Sequence, residues 1–182
     1  MKKLLLSFAT IVMIVAFSAS LMAQTSSATE NTAAGAVLIT AMGISETAPM
    51  HFGSNLMTDA SGGTIILPPN STNRSYTGGL ATSSATPVAT NAAYSVTGTG
   101  LETYAITLPT TTTVTTDGGG ANKTMDITSM LAFVASESAI AVTGTLDASG
   151  DDSFTLGGTL TVQANQVGGV YAGTFDVTVD YN

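Results

Sequence analysis

A chain of 182 residues with no cysteine, no tryptophan and 9% charged side chains excludes several classes of protein at once. Disulfide frameworks and thiolate metal sites are impossible, and four basic residues against twelve acidic ones leave no Lys/Arg cluster to grip a nucleic-acid backbone or an anionic lipid surface. The length suits one domain with a proper core, since a chain of about 150 residues buries roughly 68–70% of the surface that its unfolded state exposes.

From the N-terminus, residues 1–23 read as a secretory signal peptide. Met1-Lys2-Lys3 is a positive start, Leu4–Phe17 is an apolar run broken only by Ser7 and Thr10, and Ser18–Ala23 is the cleavage region before Gln24. Cleavage after Ala23 leaves residues 24–182, 159 in all, with Arg74 and Lys123 as the only bases against all twelve acids, a net charge of −10. No stable membrane span is expected once the leader is gone, and the acids are read as keeping a weakly charged surface soluble. Residues 24–35 carry no aromatic or large aliphatic side chain and are expected to be a flexible segment ahead of a single domain over 36–182.

The rest of the chain lacks a sustained helical stripe and is rich in Thr, Val, Ala, Ser and Gly, in short alternating runs bounded by Gly, Asn, Asp and Pro; this predicts an all-β fold. The predicted strands are Ala36–Thr40, Met50–Phe52, Thr64–Leu67, Ala92–Thr97, Tyr104–Leu108, Thr112–Thr116, Lys123–Thr128, Ala139–Thr145, Ser153–Leu156, Thr159–Gln163 and Tyr171–Tyr181. Asp117–Gly120 supplies residues tolerant of positive φ for a turn, and Asp147–Asp152 reads as a hairpin loop. Leu131–Ala141 fits either a short helix or two bent strands. In the last strand Phe175, Val177, Val179 and Tyr181 fall on one face and Thr174, Asp176, Thr178, Asp180 and Asn182 on the other, the period of two expected where one face is buried.

No reaction is nominated. His51 is the only histidine and there is no cysteine, so a triad or a Cys–His pair has no parts, and His51 in the run "APMHFG" reads as a surface residue. Asp147, Asp151 and Asp152 share one loop, where Asp serves turn geometry; "DASGD" begins like a calcium loop but lacks the glycine at the sixth position and the distant bidentate Glu. Catalytic, cofactor and metal residues are therefore expected to be none. Asn70, Asn73 and Asn122 head N-x-S/T triplets and mark surface loops. An outer-membrane barrel would need strands of about 9–11 residues and aromatic girdles, which the sequence does not offer.

"MHFG" at Met50–Gly53, "GGTIILPPNSTNRSYTGGL" at Gly62–Leu80, "AAYSVTGTGLETYAITLP" at Ala92–Pro109 and the closing pattern "GxYxGxFxVTVxYN" at Gly169–Asn182 resemble the domain-of-unknown-function 4402 family of small exported bacterial proteins. The ending and the "FG" motif resemble, more distantly, spore-coat-U type pilins of archaic chaperone–usher systems. That second resemblance implies an immunoglobulin-like, pilin-like antiparallel sandwich and a surface-fibre role, with passage through the periplasm, a periplasmic chaperone or a homopolymer as partner, and Phe175, Val177, Val179 and Tyr181 as the candidate assembly strand. The sequence departs from the pilin pattern in lacking a disulfide and in having nothing bulky over Gln24–Ala34 to fill a neighbour's groove. Ala36–Ile44 is the only nearby segment with suitable side chains, and its simpler reading is the domain's own first strand. The expected function is an exported, non-enzymatic structural protein of the cell surface or extracellular space. The alternative is a monomeric binding module acting through loops such as Pro68–Arg74 and Asp117–Lys123.

Overall fold

The computed structural model describes residues 27–54, 56–82 and 88–182; the signal-peptide assignment, residues 1–23, lies outside the described residues. The chain divides into two units, Met1–Val37 and Leu38–Asn182. Residues 27–37 of the first are exposed and have no regular secondary structure. The second is an all-β antiparallel sandwich. Its strands are β1 (Gly43–Ala48), β2 (His51–Phe52), β3 (Leu56–Leu67), β4 (Ser75–Thr82), β5 (Ala89–Thr90), β6 (Ala92–Thr97), β7 (Thr103–Thr107), β8 (Thr111–Thr115), β9 (Thr124–Val134), β10 (Ala139–Ile140), β11 (Thr143–Thr145), β12 (Asp151–Val162) and β13 (Thr178–Tyr181).

The long strand β12 is central to the larger sheet. Along one edge its first half, Asp151–Leu156, pairs with β6 and its second half, Gly158–Val162, with β3; along the other edge Phe154–Thr161 pairs with β9. The flanks follow, with β1 on β6, β4 on β3, and β8 and β10 on the far edge of β9. A three-stranded sheet, β11-β7-β13, and the short pair β2-β5 complete the fold. Two clusters fill the interior. One gathers Val96, Tyr104, Ile106, Val134, Leu146, Phe154, Leu156 and Val179, and the other Phe52, Ile65, Leu67, Met125, Ile127, Met130, Leu160 and Val162. Met50, Leu108 and Phe175 pack against both.

Alternation explains β12, where Phe154, Leu156, Leu160 and Val162 are all buried on the even-numbered side. In β9 the buried set is odd at Met125 and Ile127 and even at Met130, Ala132 and Val134. The phase flips at Ser129, whose φ of 50° marks a bulge that opposes Gly158 of β12. Gly157 sits where the partner of β12 changes from β6 to β3. A Cβ there would come within 2.5 Å of Pro69 N and 2.6 Å of the Pro68 carbonyl carbon, so only glycine lets the β3–β4 connection approach.

Several expectations are corrected. Ala36–Thr40 is not a strand; the first strand starts at Gly43 because its partner β6 ends at Thr97, and after one more bond to the β12 side, Gly98 N to Gly150 O, the chain turns over Thr99–Glu102, leaving residues 36–40 no ladder to join. Asp147–Asp152 is not a hairpin loop, since β11 pairs with β7 and β12 with β6 and β9; it is a crossover between sheets. Leu131–Ala141 resolves into the end of β9, a turn at Ala135–Ser138 and β10. The turn at Asp117–Gly120 is present, with φ of 46° at Asp117 and 76°, 81° and 113° at the three glycines, and it joins β8 to β9. Strands β1, β4 and β5 and the first half of β3 were not expected.

Gly157→Ala should lower the unfolding free energy by about 1–3 kcal/mol, the usual cost of forcing a methyl into a packed site. A urea titration reads this as a lower midpoint at unchanged slope.

Candidate functional site at the C-terminal edge

The expected terminal strand Tyr171–Tyr181 is only partly formed. Ala172 makes one isolated bridge to Thr115 of β8, and the ladder resumes at Thr178 opposite Thr107 of β7. Eight residue steps separate Thr107 from Thr115 but only six separate Ala172 from Thr178, so a continuous register is impossible. The mismatch falls at Leu108-Pro109-Thr110, where the chain passes from the smaller sheet to the larger one and Pro109 has no N–H to offer. Among the described residues, no backbone hydrogen bond involves 173–177.

The side chains nevertheless alternate as expected. Phe175, Val177 and Tyr181 are half-buried and Val179 is buried, all against the core, while Thr174, Asp176, Thr178 and Asp180 are exposed. Strand β13 is the edge of its sheet. The amide of Asn182 donates to Thr103 O at 3.2 Å, which fixes the alternation of the antiparallel ladder: residues 178 and 180 face β7, and the N–H and C=O groups of Val179 and Tyr181 point outward. Strand β1 lies near β13 without ladder pairing to it. The site is thus a strand anchored by its side chains and open along its outer backbone.

Two tyrosines hold this edge. The Tyr181 hydroxyl accepts from Thr99 N at 2.6 Å and donates to Thr40 O at 2.7 Å, while Thr40 N donates to Thr99 Oγ1 at 2.6 Å. Gly98 lies against the Tyr181 ring, and a Cβ at that position would collide with it. Tyr104, fully buried in β7, donates to Asp152 Oδ2 of β12 at 2.9 Å and so ties the two sheets together. The same oxygen accepts from Ser136 Oγ at 2.6 Å, and Oδ1 accepts from Ser136 N at 3.2 Å and from Ser153 N at 2.7 Å. Burial first, and then the hydrogen bond to Asp152, hold the Tyr104 phenol protonated well above the ordinary tyrosine range.

The other residues singled out in the sequence lie apart from the edge strand. His51 is exposed, and its Nδ1 accepts from Gly53 N at 2.7 Å. Asp147 Oδ1 accepts from Ser149 N at 2.7 Å and Asp151 N at 3.0 Å; these bonds, led by the one from Asp151, hold its carboxyl below the usual range and make it a turn-forming residue. Among the described residues, no group of three or more His, Cys, Asp or Glu side chains is placed to hold a metal ion. Asn70, Asn73 and Asn122 are exposed. In the two loops considered for binding, Arg74 donates to Phe52 O and lies 5.6 Å from the Tyr76 ring centroid, and Lys123 pairs with Asp117 at 2.7 Å. The sequence did not reveal the clasp at Tyr181 or the Tyr104–Asp152 tie, because neither a lone Tyr nor a loop Asp announces a partner far along the chain.

Fold and edge together define an all-β antiparallel sandwich with one side of its C-terminal strand uncovered. The chain belongs to the family described as a domain of unknown function, DUF4402, whose sequence model matches residues 42–181. Comparison with curated proteins and with solved structures gave no match in either case.

Tyr104→Phe should lower stability by about 1–3 kcal/mol, because Asp152 loses one of its donors in a part-buried setting. A phenol whose pKa is raised on folding contributes stability that is whole below its unfolded value of 10.0 and is lost as pH climbs toward the folded value. Alkaline unfolding curves of the native chain should therefore fall above pH 10 more steeply than those of Tyr104→Phe. Tyr181→Phe should cost about 1 kcal/mol and speed proteolysis ahead of Met42, measured by timed digestion and mass spectrometry.

Proposed function

We propose that this chain is an exported, non-enzymatic structural protein of the cell surface, a fimbria-like subunit that assembles by strand addition at its open C-terminal edge. The observation that carries this reading is the run 173–181, with its apolar row Phe175, Val177 and Val179 packed inward and its outward backbone groups unpaired. Such an edge is a template for another strand and an aggregation hazard while bare. An incoming extended segment supplies the missing backbone partners and adds side chains to the buried row. During transit a periplasmic chaperone fills that role, and in the assembled state another subunit does. The leader-like residues 1–23 support export. Among the described residues, no helix is long and apolar enough to cross a membrane.

The test uses native protein released from the surface of the producing cell. Size-exclusion chromatography with light scattering, together with denaturing gels run with and without boiling, should show a ladder of heat-sensitive multimers whose subunit mass starts at Gln24. A monomer that refolds unaided overturns the proposal.

A further inference from the structure

We infer that the outer face of the larger sheet, at the corner where β8 meets the bulge of β9, binds an uncharged polysaccharide. The site begins as an open cavity of about 400 Å³, a size that suits a small ligand or one unit of a longer one. Buried Met130 with half-buried Leu108 and Pro109 gives it an apolar lining, and Thr111, Thr128 and Ser129 give it hydroxyls. Thr111 and Thr128 also open a row. They oppose each other across β8 and β9, and Thr159 of β12 opposes Thr128, so three threonines stand side by side over roughly 10 Å at ordinary strand spacing. Thr161 lies on the same face two residues further along β12. Among the described residues, the hydroxyls of Thr111, Thr128, Ser129, Thr159 and Thr161 have no hydrogen-bond partner. Elsewhere on this face the polar side chains satisfy one another: Thr113 donates to Asp126 Oδ1 at 2.7 Å, and the Thr64 and Thr77 hydroxyls lie 2.6 Å apart. Beside the free row Leu131, opposite Gly157, is 46% exposed.

Free hydroxyls next to small apolar surfaces match a sugar ring, which carries hydroxyls at its rim and C–H groups on its faces. Charge selects the kind of sugar. The chain carries a net charge of −8, which repels sulfated or uronic polymers. The two bases of the sandwich are already engaged, Arg74 with Phe52 O and Lys123 with Asp117, so nothing here draws an anion. A protein partner would want aromatic, Met or Arg anchors, and this row offers threonines. Neighbouring strands turn by about 20–25° in a twisted sheet, so the row suits a flexible chain better than the flat face of a crystal. Ser129 adds a second kind of observation. Its φ of 50° is uncommon for a residue with a side chain, and the bulge it makes sets its hydroxyl at the cavity. None of these residues belongs to the C-terminal edge, so the inference is independent of strand addition.

The test is affinity electrophoresis of native protein from the producing cell, in gels cast with dextran, mannan or galactomannan, and with polygalacturonate as the acidic counterpart. At least one neutral polymer should slow its migration, and polygalacturonate should not. Thr111→Val together with Thr128→Val removes two free hydroxyls and keeps the β-branched shape. This pair should melt like the native chain and bind about tenfold or more weakly. Ser129→Gly removes a third hydroxyl and relieves the positive φ, so it should melt no lower than the native chain and still bind less. Should the valine pair fail to fold, the glycine variant decides alone. Thr143→Val, in the smaller sheet, should bind as the native chain does. Migration unchanged by all three neutral polymers overturns the inference, and so does retardation that both sets of variants leave intact. Equal retardation by polygalacturonate overturns the uncharged class of the ligand.

Discussion

The ladder along β12 is the constraint on which the remaining structure depends. In a chain without a single cysteine, nothing covalent closes the sandwich, so cohesion rests on hydrogen-bonded strands and the apolar rows they align. Strand β12 is paired along both edges, and its even-numbered side chains reach into both clusters, Phe154 and Leu156 into one and Leu160 and Val162 into the other. The change of partner at Gly157 and the bulge of β9 opposite Gly158 occur at the same level. On either side of that level the sheet meets a different covering, the β11-β7-β13 sheet at the first cluster and the β2-β5 pair at the second.

The C-terminal segment is held in an unusual way for the same reason. Phe175 packs against both clusters, so the chain follows the seam between them even where it makes no ladder. Side chains fix its course and the backbone is left unspent. Strands usually acquire both kinds of contact together; here the sheet change at Leu108-Pro109-Thr110 separates them, and an edge results whose position is set but whose hydrogen-bonding capacity is open. This separation is the physical support for the proposed strand addition: an incoming segment would meet an ordered template and order only itself.

The all-β class was legible in the sequence because inward and outward residues alternate cleanly in β6, β7, β8 and the second half of β12, and the inward row of 175–181 was legible for the same reason. Illegibility had local causes. Ser129 reverses the phase of β9, so a single strand read as two unrelated fragments. Gly78 and Gly79 made β4 look like a loop, although Gly78, at φ 69°, sits beside a bulged stretch of β3. Val37-Leu38-Ile39 looked like a first strand because composition reports strand propensity and not whether a neighbour is within reach. The register gap that opens the C-terminal edge depends on counting residues on two distant segments, which no single stretch contains.

One further consequence belongs to the clasp between Tyr181 and Thr40, positions 141 residues apart. It brings the first and last parts of the domain to one point, so the polypeptide is close to a closed circuit whose two ends share a latch built around Thr99. Entropy is released at both ends when that latch opens, and lost at both when it shuts. Order at the start of the domain and order at its finish therefore rise and fall as one event. Any ligand, mutation or force that loosens the last strand therefore also removes one of the holds on the segment that precedes the first.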